Sequence, residues 1–226
     1  MDAVKELAAE AGMEVPRPDP REMERAERRS SLGDVMTAAQ EWFENNLLAD
    51  EGAKAREYLK ARGIDATTAR KFGFGLAPDD RGALKNALAQ FDDAMLIEAG
   101  LLISVEDKEP YDRFRGRLML PIHDLRGRIV AFAGRILDGA KTDAPKYLNS
   151  PDTPLFDKGR TLYNLHRAGP ASRQSGRIVV VEGYMDVIAL ARAGFDNAVA
   201  PLGTALTENQ IALMWRLAAE PILCFD

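Results

Sequence analysis

The sequence predicts an α/β protein in two parts: an α+β segment built around an antiparallel hairpin, then a partial doubly wound parallel sheet. Three observations predict it. The stretch RIVVVEGYMDVIALARAGF, residues 177–195, runs from a β-branched strand through a glycine turn into a helix with Met185, Val187, Ile188, Leu190 and Ala191 on one stripe. Two more apolar runs, 197–200 and 222–225, follow with a helix between them, which gives alternating strands and helices with right-handed crossovers. Upstream, the apolar runs 118–122 and 129–132 are joined by His-Asp-Leu-Arg-Gly, a hairpin with Gly127 in its turn.

Taken in order, residues 1–13 read as a short helix with Val4, Leu7 and Ala8 on one face and Gly12 as its stop, the tail of a preceding module. Pro16, Pro18 and Pro20 mark residues 14–30 as a linker running into a polar helix. Residues 31–176 are expected to form the α+β segment and 177–226 the partial sheet. An amphipathic helix over 31–46 carries Leu32, Val35, Met36, Ala39, Trp42 and Phe43 along a stripe. A second helix over 51–61 ends at Arg62-Gly63, a third begins near Asp65 or Ala66, and FGFGLAP is a short strand. Helices near 82–90 and 93–99 follow. Thr207-Glu-Asn-Gln210 is a capping box that starts a helix bearing Ile211, Leu213, Met214 and Leu217, and Pro221 stops it. The last strand stops at Asp226, which reads as a truncation point because a parallel sheet wants cover on both faces.

The composition narrows the function. With 226 residues, 46% hydrophobic, the chain can bury a sizeable core, and it contains neither a long apolar run nor a secretory leader. No membrane partner and a cytoplasmic location are expected. One cysteine, Cys224, and two histidines give no basis for a zinc cluster, so a metal would be held by carboxylates and would be a hard cation. The net charge of −5 hides a sorted distribution, since residues 111–177 carry 13 Lys and Arg against 6 Asp and Glu. That basic middle is either an anion-binding surface for phosphates or a solvated face. Arg113, Arg115 and Arg117 project to one face if the chain is already extended there. In the proline-punctuated stretch 141–165, Lys146, Lys158 and Arg160 suit phosphates, Tyr147 suits a base face and Asn149 a base edge. An ordinary surface loop has the same composition.

Chemistry points to the strand tips. If the first and third strands of the sheet are parallel neighbours, Glu182, Asp186 and Asp226 gather at one edge, where their mutual repulsion is relieved by Mg²⁺. Such a site suits phosphoryl or nucleotidyl transfer. The plainer alternative is that Asp186 favours the helix N-terminus by about 0.3–1 kcal/mol and that Glu182 is a solvated strand end.

At these residues the chain resembles a known family. VVVEGYMDVIAL, followed downstream by a strand ending CFD, is similar to the Toprim fold of bacterial DnaG-type primases. RFRGRLMLPI, FAGRIL, APKYLNSPDTPLFDKGRTLY and AVAPLGTALT occur in that family's order, and the resemblance covers residues 42–226. It implies a DNA-directed RNA polymerase that makes short RNA primers on a single-stranded DNA template from nucleoside triphosphates. It implies catalytic and metal-binding roles for Glu182, Asp186 and Asp226, with Mg²⁺ or Mn²⁺ as cofactor. Nucleotide or template contacts are implied for Arg62, Arg115, Arg117, Arg135, Lys146, Tyr147, Asn149, Lys158 and Arg160. Zinc would belong to a separate N-terminal module and the replicative helicase would be met by a C-terminal domain, neither within these residues. Alone, the fragment is expected to polymerise weakly or not at all. A phage primase-helicase and a single-stranded DNA or nucleotide-binding module without catalysis are the alternatives, while PKYLNSP and DKGR weigh against a topoisomerase.

Overall fold

The computed structural model describes residues 20–137, 145–203 and 205–225. The helix expected over 1–13, the start of the linker, and Asp226 lie outside the described residues. Two compact units are delimited, 1–31 and 32–226.

Helix α1, Pro20–Leu48, is one continuous element, so it begins inside the stretch read as linker and absorbs both the polar and the amphipathic helix. Pro20 takes the first helical position, where a missing N–H is no loss, and the Glu, Arg, Met and Ala that follow favour helix. In the second unit its stripe of Leu32, Val35, Met36, Ala39 and Phe43 is fully buried, whereas Trp42 is half-buried. Helices α2, Ala53–Ala61, and α3, Ala66–Lys71, follow, the latter capped by Asp65, whose Oδ1 accepts the Thr68 N–H at 2.7 Å. Helices α4, Ala83–Ala87, and α5, Asp93–Glu98, are shorter than their apolar windows.

A four-stranded antiparallel sheet has the order β1-β4-β5-β6, with β1 Gly75–Ala77, β4 Arg117–His123, β5 Ile129–Ile136 and β6 Tyr147–Asn149. The β4–β5 hairpin forms where the sequence places it. Asp124 closes its turn by accepting the Arg126 and Arg128 N–H groups at 2.9 Å each, and Gly127 supplies φ 77°. A second hairpin, β2 Leu102–Val105 and β3 Lys108–Asp112, carries a weak sequence signal, because only Leu102 and Asp112 of its strand residues are buried and its turn residue is Asp107, at φ 58°, rather than glycine. Residues 113–116 bend instead of extending, with Gly116 at φ 60°, so the three alternating arginines do not share a face.

Helix α6, Leu165–Ser175, leads into a three-stranded parallel sheet of order β8-β7-β9: β7 Val179–Val181, β8 Ala198–Val199, β9 Ile222–Cys224. Helices α7, Tyr184–Arg192, and α8, Glu208–Trp215, follow β7 and β8. The first and third strands are indeed parallel neighbours, with Val181 opposite Cys224. The period-two pleat divides the central strand between two cores. Val180 packs with Leu165, Ala168 and Met214 of α6 and α8, while Val181 joins Tyr184, Val187 and Ile188 in a core shared with Leu118, Leu120 and Ile122 of β4. The shared core brings the end of the parallel sheet up to the face of the antiparallel one.

Candidate active site

Glu182 follows the last residue of β7 and so stands at the C-terminal tip of the central strand. The next residue, Gly183, passes the chain close to Asp186, where an added Cβ would lie 3.2 Å from Oδ2. Its N–H donates to that oxygen at 3.1 Å, which closes the cap of α7. The helix-terminal role of Asp186 is therefore present, but it engages one carboxylate oxygen. The other has no hydrogen bond among the described residues.

The facing wall comes from β5, β6 and α2. Arg135 and Tyr147 are register partners. Arg135 is 8% exposed, and its guanidinium carbon lies 4.3 Å from the Tyr58 ring centroid and 5.9 Å from that of Tyr147. Arg62 lies over the same Tyr58 ring at 5.4 Å. Such contacts hold a guanidinium in place without neutralising it. The Nε of Arg135 is buried with no hydrogen-bond partner and its Nη1 donates to the Ile136 carbonyl at 3.4 Å, while the side chain still lines the cleft, where a guanidinium suits a phosphate or carboxylate oxygen.

Asn149 joins the two walls. Its Nδ2 donates to the Leu202 carbonyl at 2.7 Å and its Oδ1 accepts the Tyr184 hydroxyl at 2.8 Å, so both ends of its amide are engaged by protein rather than open to a base edge. Burial pushes the Tyr184 and Tyr163 hydroxyls far up, and that of Tyr147 up against the opposing pull of Arg135. These phenols stay protonated at neutral pH and serve as donors and ring surfaces, not as bases.

The result is a cleft of about 700 Å³ in which Arg62, Arg135, Lys146, Tyr147, Asn149 and Lys158 face Glu182 and Asp186, with Tyr184, Met185 and Leu202 between them. Glu182 also borders a second space of about 390 Å³ that runs towards Leu206 and Phe225. Other expected site residues lie elsewhere. Arg115 belongs to a separate hollow of about 370 Å³ with Asp79, Asp80, Arg81 and Tyr111, in which the guanidiniums of Arg81 and Arg115 sit 4.5 and 5.0 Å from the Tyr111 centroid. Arg117 is 5% exposed and donates through Nη1 to the Gly134 and Pro145 carbonyls at 3.0 Å each, so it faces into the protein and not towards a ligand. Arg160 is exposed and lies 3.8 Å from Asp157. Tyr58 and Tyr184 were not foreseen. Tyr58 precedes Arg62 by four residues at the end of a helix, a spacing that puts two side chains on one face and was the available signal.

Among the described residues no group of three or more His, Cys, Asp or Glu is arranged to hold a metal. Glu182 and Asp186 are nevertheless all-oxygen donors in one cleft, the right kind for Mg²⁺, which takes few protein carboxylates and completes its shell with water and phosphate.

Comparison with known proteins agrees with this geometry. Residues 42–169 match the model of the DNA primase catalytic core, N-terminal domain, and residues 176–226 that of the Toprim domain. The chain is 46% identical to the DNA primase of Pseudomonas putida over 99% of its own length and 34% of the relative's. It is 40% identical to that of Escherichia coli K12 over 100% of its length and 39% of the relative's, so it spans a little over a third of the curated relatives. A solved DnaG primase catalytic domain bound to ssDNA superposes with a TM-score of 0.81 at 39% identity, covering 89% of this chain and 62% of that one. The RNA polymerase domain of Mycobacterium tuberculosis primase DnaG gives 0.82 at 36% identity, covering 88% and 67%.

Proposed function

The chain belongs to the DNA primase catalytic-core family, and from that premise we propose that its cleft is the nucleotidyl-transfer site of an enzyme that lays RNA primers on single-stranded DNA. One observation carries the reading: four basic side chains, Arg62, Arg135, Lys146 and Lys158, share a single cleft with the carboxylates Glu182 and Asp186. Polyphosphate oxygens and a DNA backbone need the first set, and a hard cation needs the second. The solved relative that binds ssDNA supports DNA as the template.

In this reading Arg135, held between Tyr58 and Tyr147, and Lys146 and Lys158 receive phosphates of the incoming nucleoside triphosphate and of the template. Tyr147 offers its ring face. Glu182 and Asp186, together with Asp226 as the family resemblance implies, would hold Mg²⁺ or Mn²⁺. A divalent cation there would supply charge neutralisation at the phosphate and a lower pKa for the attacking hydroxyl. Zinc and the replicative helicase belong to other modules of the whole protein.

The test uses the protein carrying this sequence. Replacing Glu182 by Gln or Asp186 by Asn should lower template-directed primer synthesis by at least about a hundredfold while leaving oligothymidylate affinity nearly intact. Replacing Arg135 or Lys146 by Ala should weaken that affinity and reduce its salt slope by about one unit each. Full primer synthesis by the Glu182 variant, or unchanged affinity in both basic variants, would overturn the reading.

A further inference from the structure

Lys158 reaches the cleft from a single 3-10 turn, Lys158–Arg160, which has little internal structure to hold it. The turn is gripped from α8. Gln210 is 2% exposed; its Oε1 accepts the Thr207 N–H at 3.1 Å, which completes the capping box, and its Nε2 donates to the Lys158 carbonyl at 3.1 Å and the Thr161 carbonyl at 2.8 Å. The Thr207 hydroxyl donates to the Gly159 carbonyl at 2.6 Å. From the loop side, Asp152 accepts the Lys158 N–H at 2.8 Å and Asp157 the Gly159 N–H at 2.9 Å. The turn's backbone is thus tied from both sides while the Lys158 side chain lines the cleft.

A capping box needs an acceptor at its third helical position, and glutamate serves there as well as glutamine. Two carbonyls need a donor, which a carboxylate lacks. The helix cap alone therefore does not account for an amide at this buried position.

We infer that Gln210 is a positioning residue, a clamp that holds the 158–161 turn so that the Lys158 ammonium meets a phosphate group in the cleft. This rests on the phosphate-binding reading of the cleft proposed above. The phosphate belongs either to a nucleoside triphosphate or to the backbone of single-stranded DNA.

The experiment is a double-mutant cycle on the full 226-residue chain, with inorganic triphosphate and oligothymidylate as separate probes. Lys158→Ala should weaken at least one probe by about tenfold. Gln210→Glu keeps the cap acceptor and loses both clamp donors; it should weaken the same probe by about fivefold, and the double variant should be no weaker than Lys158→Ala alone. The probe that shows this coupling identifies the phosphate source. Multiplicative losses, or wild-type affinity in Gln210→Glu, overturn the clamp. Lys158→Ala without effect on either probe overturns the assignment of Lys158 itself, a separate failure. Far-UV circular dichroism and melting check folding, and if Gln210→Glu does not fold, the neutral Gln210→Met carries the same criteria.

Discussion

Two arginines on neighbouring strands, one register step apart, show how little residue type decides by itself. Arg117 and Arg135 both belong to basic motifs, yet Arg117 donates to the Gly134 and Pro145 carbonyls while Arg135 lies against the Tyr58 and Tyr147 rings and lines the cleft. Arg117→Ala should therefore cost about 1–3 kcal/mol of stability in denaturant unfolding, through carbonyls left unsatisfied, with little change in oligothymidylate affinity. Arg135→Lys should do the reverse, because an ammonium keeps the charge but lacks the planar fork that lies against the Tyr58 ring and can meet two oxygens at once. Histidine gives a second residue-scale prediction. His123 and His166 pack with ring centroids 4.4 Å apart where the end of β4 meets the start of α6. Burial, the neighbouring imidazole and Arg167 push His123 down to about 3, and burial and Arg167 push His166 down to about 4, against the weaker opposing pull of Asp124. An unfolded histidine titrates near 6.5, so below that pH the unfolded chain binds more protons than the folded one. Stability should be level with respect to this pair above pH 6.5 and should fall as the pH drops from 6.5 towards 3. Melting temperatures across that range check it, and the double substitution of both histidines by Phe should flatten the slope.

Elements with a clear period were legible in the sequence, and those defined by their partners were not. The β4–β5 hairpin, the three parallel strands and the α8 capping box each carry local signals in apolar runs, a turn glycine or a Thr-x-x-Gln spacing. Strand β6 has three half-buried residues and exists because β5 offers it an edge, and α6 contains Gly169 and Pro170, which argue locally against a helix. The candidate site divides the same way. Glu182 and Asp186 were readable because strand tip and helix start fix them. The engaged amide of Asn149 is not legible, since it acts through residues distant in the chain, and of the two contacts of Tyr58 only that with Arg62, four residues on, has a local signal, the one with Arg135 having none. The Asn149 bridge between β6 and α7 makes its own prediction. Asn149→Ala should cost about 1–3 kcal/mol, because it strands the Tyr184 hydroxyl, and adding Tyr184→Phe should cost little more. Thermal unfolding of the two single variants and the double variant reads this coupling.

At the scale of the whole unit, the two sheets hold together through one apolar core in which Val181, Val187 and Ile188 pack with Leu118, Leu120 and Ile122. Residues 32–226 should accordingly unfold in one transition, with far-UV circular dichroism and the fluorescence of Trp42 in a Trp215→Phe background tracing the same curve. Ile188→Ala should shift that curve by about 2–4 kcal/mol without splitting it, and a second transition would show that the sheets are separately stable. The clamp from α8 carries a different kind of consequence, one of timing. Gln210 holds carbonyls 52 and 49 residues earlier in the chain. At ribosomal speeds of roughly 5–20 residues per second, the turn bearing Lys158 is made about 3–10 s before the helix that secures it. Arg62, Arg135, Lys146 and Lys158 are all synthesised before Glu182 and Asp186. The basic side of the cleft is therefore made before its two carboxylates, and it emerges beside the ribosome's own RNA. Translation that pauses between residues 160 and 182 leaves the basic side of the cleft without the carboxylates that share it, so the speed of decoding through that interval is itself a variable in how cleanly the protein is made.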